Sequence, residues 1–322
     1  RRFKKALKLK MLTGKGYFFF RDKVNRLNPA AYTKNGLEVK SSNLCVAPET
    51  EILTDKGYVK ISDVVGNKVN VWNGSEFSEV IVNKTGENQK LITIVTNSGM
   101  DLTCTLYHKF YVMDGYSKIK EKRAHELREG DKLIKCNYPI IDGEKELEFA
   151  YDNGFFTADG CYFEGKNIIY LYHDKIKLKD FIKSVSVWKS SNSYQSRLTG
   201  YASNLKHKFF VPNSEYSIKS RMQWLAGLFD GDGCVITTDK TQNLQLGSIN
   251  FEFLKEKKKM LQTCGVSSKI IKQSGGGIRK MPKNNGTGEY GDYLTKPSWR
   301  ILITQTGINT LQKLGFKTNR LV

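Results

Sequence analysis

The chain has 322 residues, 39% of them hydrophobic, and its formal charge is +20. That much apolar material supports a packed core and excludes wholesale disorder, and the length suits about two domains. No run of about 18 apolar residues predicts a membrane span, and the basic start, Arg1 to Lys10, lacks the apolar segment of a secretory leader, so neither is expected.

The cysteines at 45, 104, 136, 161, 234 and 264 form no CxxC pair, and no histidine cluster accompanies them. A structural zinc site or a disulfide framework is therefore not expected, and a reducing, cytoplasmic setting is. A chain that starts at Arg1 rather than Met is expected to be a fragment. The charge is uneven: +10 over residues 1–44, −1 over 45–145 and +11 over 146–322. A basic half with Tyr, Trp and Phe interleaved has the footprint of a phosphate-backbone binder, although a solvated lysine surface gives the same arithmetic.

Residues 1–44 predict a short helical piece, an apolar run Tyr17-Phe18-Phe19-Phe20 and a polar loop ending in Ser42-Asn43-Leu44, too little for a domain. From Cys45 the pattern turns to short strands: 58–61, 68–72, 79–82, 91–95, 101–106, 109–112 and 132–136. Turn formers such as Asp55-Lys56-Gly57 and Asn73-Gly74 separate them, which predicts an all-β module over 45–140. A polar linker, 137–146, follows.

The periodicity then becomes helical over 147–158 and stops at Asp159-Gly160. Strands are predicted at 168–172 and 185–189. A second helix, 222–229, stops at Asp232-Gly233, followed by strands 234–238 and 244–249, a helix 251–264 and a strand 268–272. A Gly- and Lys-rich stretch, 273–291, predicts a mobile loop, and strand 299–304 and helix 307–314 close the pattern. The Asp-Gly corners lie 73 residues apart, which suits one unit duplicated in tandem.

Two sets of residues carry chemistry. A thiol at Cys45 can attack the carbonyl of Leu44 and shift that acyl group from nitrogen to sulfur. The leaving nitrogen needs a proton donor, for which His108 is suited, and the carbonyl needs polarising, which the Thr105 hydroxyl can do. A lone buried cysteine and a structural histidine are the plain alternatives. The stretch Cys45-Val46-Ala47-Pro48-Glu49-Thr50-Glu51-Ile52-Leu53-Thr54-Asp55-Lys56-Gly57-Tyr58-Val59-Lys60-Ile61 closely resembles the amino-terminal splicing block of inteins. Thr105-x-x-His108 resembles their second block, and Glu126-Leu127-Arg128-Glu129-Gly130-Asp131-Lys132-Leu133 resembles the strand entry that follows. The resemblance implies an all-β Hint fold and self-catalysed protein splicing in the cytoplasm of a prokaryotic or phage-infected cell.

The second set is the pair of Asp-Gly corners. Small residues on one helix face let two helices pack closely and bring Asp159 and Asp232 together. Two neighbouring carboxylates repel unless a cation neutralises them, and carboxylate oxygens suit Mg²⁺. A metal held there could activate water against a phosphodiester. The plain alternative is a turn after each helix. Leu225-Ala226-Gly227-Leu228-Phe229-Asp230-Gly231-Asp232-Gly233 resembles a LAGLIDADG motif, and Asn153-Gly154-Phe155-Phe156-Thr157-Ala158-Asp159-Gly160 resembles a first copy in which Thr157 replaces the family's first Asp. The resemblance implies an α+β homing endonuclease over 146–322, αββαββα twice, monomeric, with Asp159 and Asp232 as catalytic and metal-binding residues and double-stranded DNA as partner. Lys208, ahead of Val211-Pro212 and one residue off the family's spacing, is a candidate for supporting charge or water activation; a DNA-backbone lysine is the plainer reading.

Residues 1–44 resemble the interior of a ribonucleotide reductase large subunit, where a Ser-Asn-Leu-Cys run carries the active-site cysteine, so they imply a host fragment. The closing His-Asn pair of an intein is absent from Asn319-Arg320-Leu321-Val322, so splicing is expected to need a carboxy-terminal piece in trans. The competing readings are a non-catalytic nucleic-acid binder or maturase, Hedgehog-type autoprocessing, and reductase activity itself. The duplicated Asp-Gly helices argue against the second, and the short host stretch against the third.

Overall fold

The computed structural model describes residues 45–321, apart from 116–117, 193–195, 239–240 and 284–286. The reading of 1–44 as a host fragment therefore lies outside the described residues.

Strand β1 (Glu51–Thr54) turns through Asp55-Lys56 into β2 (Gly57–Lys60), and Gly57 takes φ +109°, a conformation that L side chains avoid. With β3 (Lys68–Trp72) and β4 (Phe77–Ile81) they form an antiparallel sheet in the order β2-β1-β3-β4. Two hairpins follow, β5 (Leu91–Val95) with β6 (Asp101–Thr105), and β7 (Lys109–Asp114) with β8 (Lys118–Arg123). Only short 3-10 turns at Ile61–Val64 and Ala124–Glu126 interrupt this all-β region among its described residues. The strand expected at 132–136 does not form. The Met113 nitrogen bonds the Lys132 carbonyl and the Ile134 nitrogen bonds the Tyr111 carbonyl, so pairing to β7 reduces to one bridge, Val112 to Leu133.

Among the described residues four helices follow: α1 (Ala150–Asp159), α2 (Ile218–Asp232), α3 (Phe251–Gln262) and α4 (Gln305–Lys313). The Ser217 hydroxyl caps α2 by accepting from the Ser220 nitrogen at 3.1 Å, and Asn250 Oδ1 caps α3 by accepting from the Phe253 nitrogen at 3.1 Å. After α1 comes an antiparallel sheet in the order β11-β12-β10-β9, from β9 (Gly160–Phe163), β10 (Lys166–Tyr172), β11 (Val185–Asn192) and β12 (Ser196–Ala202). After α2 comes a second, β13-β14-β18-β15, from β13 (Cys234–Thr237), β14 (Gln242–Ser248), β15 (Ser268–Ser274) and β18 (Ser298–Ile303).

The second unit runs helix, two strands, helix, four strands, helix; its sheet strands follow the order expected for one αββαββα copy, with a hairpin inserted before the last of them. The first copy departs from that pattern. Its middle helix is a 3-10 segment, His173–Phe181, whose one fully buried residue is Leu178, and no closing helix stands between β12 and α2 among the described residues. The expected loop at 273–291 also differs. Its flanks pair as a hairpin, β16 (Gly277–Pro282) with β17 (Tyr290–Thr295), inserted between β15 and β18.

Each unit has its own core. Phe155, Phe156, Ile169, Leu171, Leu178, Ile182 and Val185 pack under the first sheet. Trp224, Leu225, Leu228, Phe229, Leu246, Leu254, Ile301 and Leu311 belong to the core under the second. A fully buried side chain of this size contributes about 2–3 kcal/mol. The β-region is fastened to α3 and β15. The Tyr58 hydroxyl donates to Gln262 Oε1 at 2.7 Å, and the Ser98 carbonyl accepts from Lys258 Nζ at 2.6 Å and from the Ile270 nitrogen at 3.0 Å.

Candidate active sites

Helices α1 and α2 meet through glycine. A methyl group added to Gly154 would land on the Trp224 carbonyl oxygen, and one added to Gly227 would land on the Tyr151 carbonyl oxygen. Gly231 faces the Ala158 methyl in the same way. The backbones therefore touch, as only glycine at these positions allows. The packing sets the ends of both helices side by side, and each ends on a carboxylate, Asp159 and Asp232.

The two carboxylates are electrostatically coupled. The Asp232 pKa is raised above the usual carboxylate range, first by burial and next by the charge of Asp159; Lys175, Lys208 and Lys257 oppose the rise. Water still reaches Asp232, which is exposed at the helix end, while protein crowds its flanks. Lys175 Nζ bonds Asp159 Oδ2 at 2.5 Å, both side chains being about four-fifths buried. Lys208 Nζ donates to the Ala158 carbonyl at 3.2 Å and to the Gly160 carbonyl, and so holds the carboxy end of α1, where a cation is favoured. Lys257 is 2% exposed, lies 3.7 Å from the centre of the Phe253 ring, and has its pKa pushed down to about 7 by burial, with Asp232 opposing.

The structure thus brings Asp159, Asp232 and Lys208 to one place. Lys175 and Lys257 join them without having been singled out by the sequence. Lys257 lies in a run, Lys255-Glu256-Lys257-Lys258-Lys259, that reads as a solvated face. Its four-residue spacing from the buried Phe253 is the signal that places it inward. For Lys175 the sequence offers no comparable signal.

The Thr157 departure has a structural account. Asp230, the equivalent position in the second copy, is fully buried and accepts from the Tyr151 hydroxyl and from the nitrogens of Asn319 and Arg320, each at 2.8 Å. It anchors the chain after α4. Thr157 instead returns its hydroxyl to the Asn153 carbonyl of its own helix at 3.0 Å. The substitution therefore leaves the carboxylates at 159 and 232 in place.

Cys45 lies beside β6. The Thr105 nitrogen donates to the Cys45 carbonyl at 3.1 Å, the Ala47 nitrogen donates to the Thr103 carbonyl at 2.9 Å, and Val46 bridges Cys104. The Thr105-to-His108 turn closes through the His108 nitrogen and the Thr105 carbonyl, 3.0 Å apart. Thr105 Oγ1 and His108 Nδ1 are buried and make no hydrogen bond of normal geometry among the described residues. Burial lowers the His108 pKa, opposed by the backbone of Cys45. Cys45, Thr105 and His108 therefore stand at one end of one strand.

Residues 220–306 match the model of a LAGLIDADG-like domain. The chain is 37% identical to the ribonucleoside-diphosphate reductase large subunit of Invertebrate iridescent virus 6, over 98% of this chain and 34% of that protein. It is 27% identical to the ribonucleoside-diphosphate reductase NrdEB subunit alpha of Bacillus subtilis strain 168, over 92% of this chain and 32% of that protein. It is 26% identical to the ATP-dependent DNA helicase Hel308 of Methanocaldococcus jannaschii, over 71% of this chain and 21% of that protein. The chain spans about a third of the length of the two reductase relatives. It carries a LAGLIDADG-like domain whose matched span begins in the first turn of α2 and takes in both Asp232 and Lys257.

Proposed function

We propose that this chain is intein sequence interrupting a ribonucleotide reductase gene, and that residues 146–322 are a site-specific endonuclease cutting both strands of a DNA duplex. The observation that carries the nuclease reading is the meeting of Asp159 and Asp232 at two helix ends whose backbones touch. The relatives support the insertion. Reductases and a helicase catalyse unrelated reactions, so a segment shared among them is simplest as a transferable insert.

Among the described residues no group of three or more His, Cys, Asp or Glu side chains could cage a metal. Two coupled carboxylates fit a cation that takes only one or two protein ligands and completes its shell with phosphate oxygens and water, which is the habit of Mg²⁺. Asp159 and Asp232 would hold it, and it would supply charge neutralisation at the scissile phosphate and a more acidic bound water. The lysines do the rest. Lys208 fixes the α1 terminus, Lys175 orients Asp159, and Lys257 sets a buried amine whose charge acts on Asp232.

One observation favours a binding protein without catalysis: Lys175 already neutralises Asp159. Incubation with a plasmid carrying the uninterrupted coding sequence for Ser-Asn-Leu-Cys, with and without Mg²⁺, separates the two. A metal-dependent double-strand cut near that junction supports the nuclease. Salt-sensitive binding that survives chelation, without scission, supports the binder.

We also propose that Cys45, Thr105 and His108 carry the first splicing step at the bond between Leu44 and Cys45. Their grouping at the end of β6 supports it, and release of residues 1–44 by an added thiol tests it.

A further inference from the structure

The Cys45 thiol is held by two hydroxyl groups that no part of the motif accounts for. The Tyr107 hydroxyl donates to Cys45 Sγ at 3.5 Å, and Thr85 Oγ1 lies 3.4 Å from the same sulfur. These residues come from different parts of the fold. Thr85 stands in the irregular stretch between β4 and β5, and Tyr107 in the turn between β6 and β7. Within that turn Thr105 is buried while Tyr107 is 47% exposed. A tyrosine so placed could turn freely to solvent, yet its phenol end returns to the sulfur.

We propose that Tyr107 and Thr85 form a two-hydroxyl clamp that orients Cys45 Sγ for attack on the Leu44 carbonyl. The backbone bonds between Cys45 and β6 fix where the Cα–Cβ bond starts. They leave χ1 free, and two hydroxyls converging on sulfur select one rotamer.

The step balances. Sγ passes its proton to the free ring nitrogen of His108 and forms a bond to the Leu44 carbonyl carbon, and the bond from that carbon to the Cys45 nitrogen breaks. The ring, now charged, returns that proton to the leaving nitrogen, and nothing is oxidised or reduced. The inference rests on the splicing reading only for the identity of the electrophile; the hold on the sulfur stands apart from it.

The test uses the full chain and two readouts. Excess dithiothreitol releases residues 1–44 by attack on the thioester, and mass spectrometry follows the rate against pH. Tyr107→Phe is expected to slow release about tenfold at each pH, because the sulfur is no longer held in the attacking rotamer. Thr85→Val is expected to slow it less, with the thermal midpoint kept in both variants. Equal rates and equal profiles in wild type and Tyr107→Phe would overturn the clamp. If wild type releases nothing, the acyl-shift reading fails, and peptide-resolved alkylation of Cys45 by iodoacetamide decides the clamp. A changed alkylation rate in Tyr107→Phe supports it, and an unchanged rate overturns it.

Discussion

Asp159 and Asp232 end two helices that share one glycine-lined contact, and the charge on the first raises the proton affinity of the second. Removing that charge should reverse the effect. In Asp159→Asn the Asp232 carboxyl is expected to titrate at lower pH than in wild type, because the repulsion is gone and Lys175 is released from its ion pair. Site-resolved NMR titration of the Asp232 carboxyl carbon checks this; an unmoved midpoint would mean that the two carboxylates do not sense each other.

The helix contact itself leaves no room for a methyl group at Gly227, where the obstacle is the Tyr151 carbonyl and not a movable side chain. Gly227→Ala should cost about 3 kcal/mol, at the upper end for overpacking, despite the gain in helix propensity. Urea unfolding measures it. Gly66→Ala is a useful contrast, because nothing lies within 4 Å of a methyl there and only its φ of +82° opposes the change.

Lys257 makes stability depend on pH in a defined window. Its folded pKa of about 7 lies below the ordinary lysine value, so between the two the unfolded chain binds the extra proton and stability rises with pH. The penalty of burying the amine is fullest below pH 7 and fades toward the ordinary value. Lys257→Met should therefore stabilise the protein at pH 6 more than at pH 10. Thermal midpoints of both proteins across that range test it; a difference that stays flat would show that Lys257 is not desolvated.

Asp230 serves the fold rather than the reaction. Asp230→Ala strands the Asn319 and Arg320 amides and the Tyr151 hydroxyl, at a cost of about 3 kcal/mol or more. Hydrogen exchange at Asn319 and Arg320 should accelerate well beyond that at the centre of α2. Uniform acceleration along the chain would count against a local anchor.

Much of this arrangement was legible from residue order. The bounds of β3 and β5 coincide with the runs that alternation predicts, and α3 begins at the predicted residue. Strand β8 was not legible, because five of its six residues, Lys118-Ile119-Lys120-Glu121-Lys122-Arg123, are charged and its pairing with β7 supplies what its own pattern lacks. The β16–β17 hairpin is hidden behind Gly275-Gly276-Gly277, and its Ile278 and Leu294 pair across the strands while both stay exposed. The 3-10 segment replaces a helix in the first unit because His173–Phe181 offers little to bury. At the candidate sites, residues inside a motif were legible. Lys175 and Thr85 reach their sites through tertiary placement, which no local spacing encodes, and Tyr107 fills an unspecified position of Thr105-x-x-His108.

The central claim is that Asp159 and Asp232 form one hydrolytic centre for DNA. The most direct measurement is linearisation of a plasmid bearing the uninterrupted reductase sequence, by wild type and by Asp232→Asn, at equal DNA occupancy and with Mg²⁺ present. The account predicts a single site-specific cut by wild type and a loss of at least about a hundredfold in Asp232→Asn with binding retained. Undiminished cutting by Asp232→Asn would contradict it.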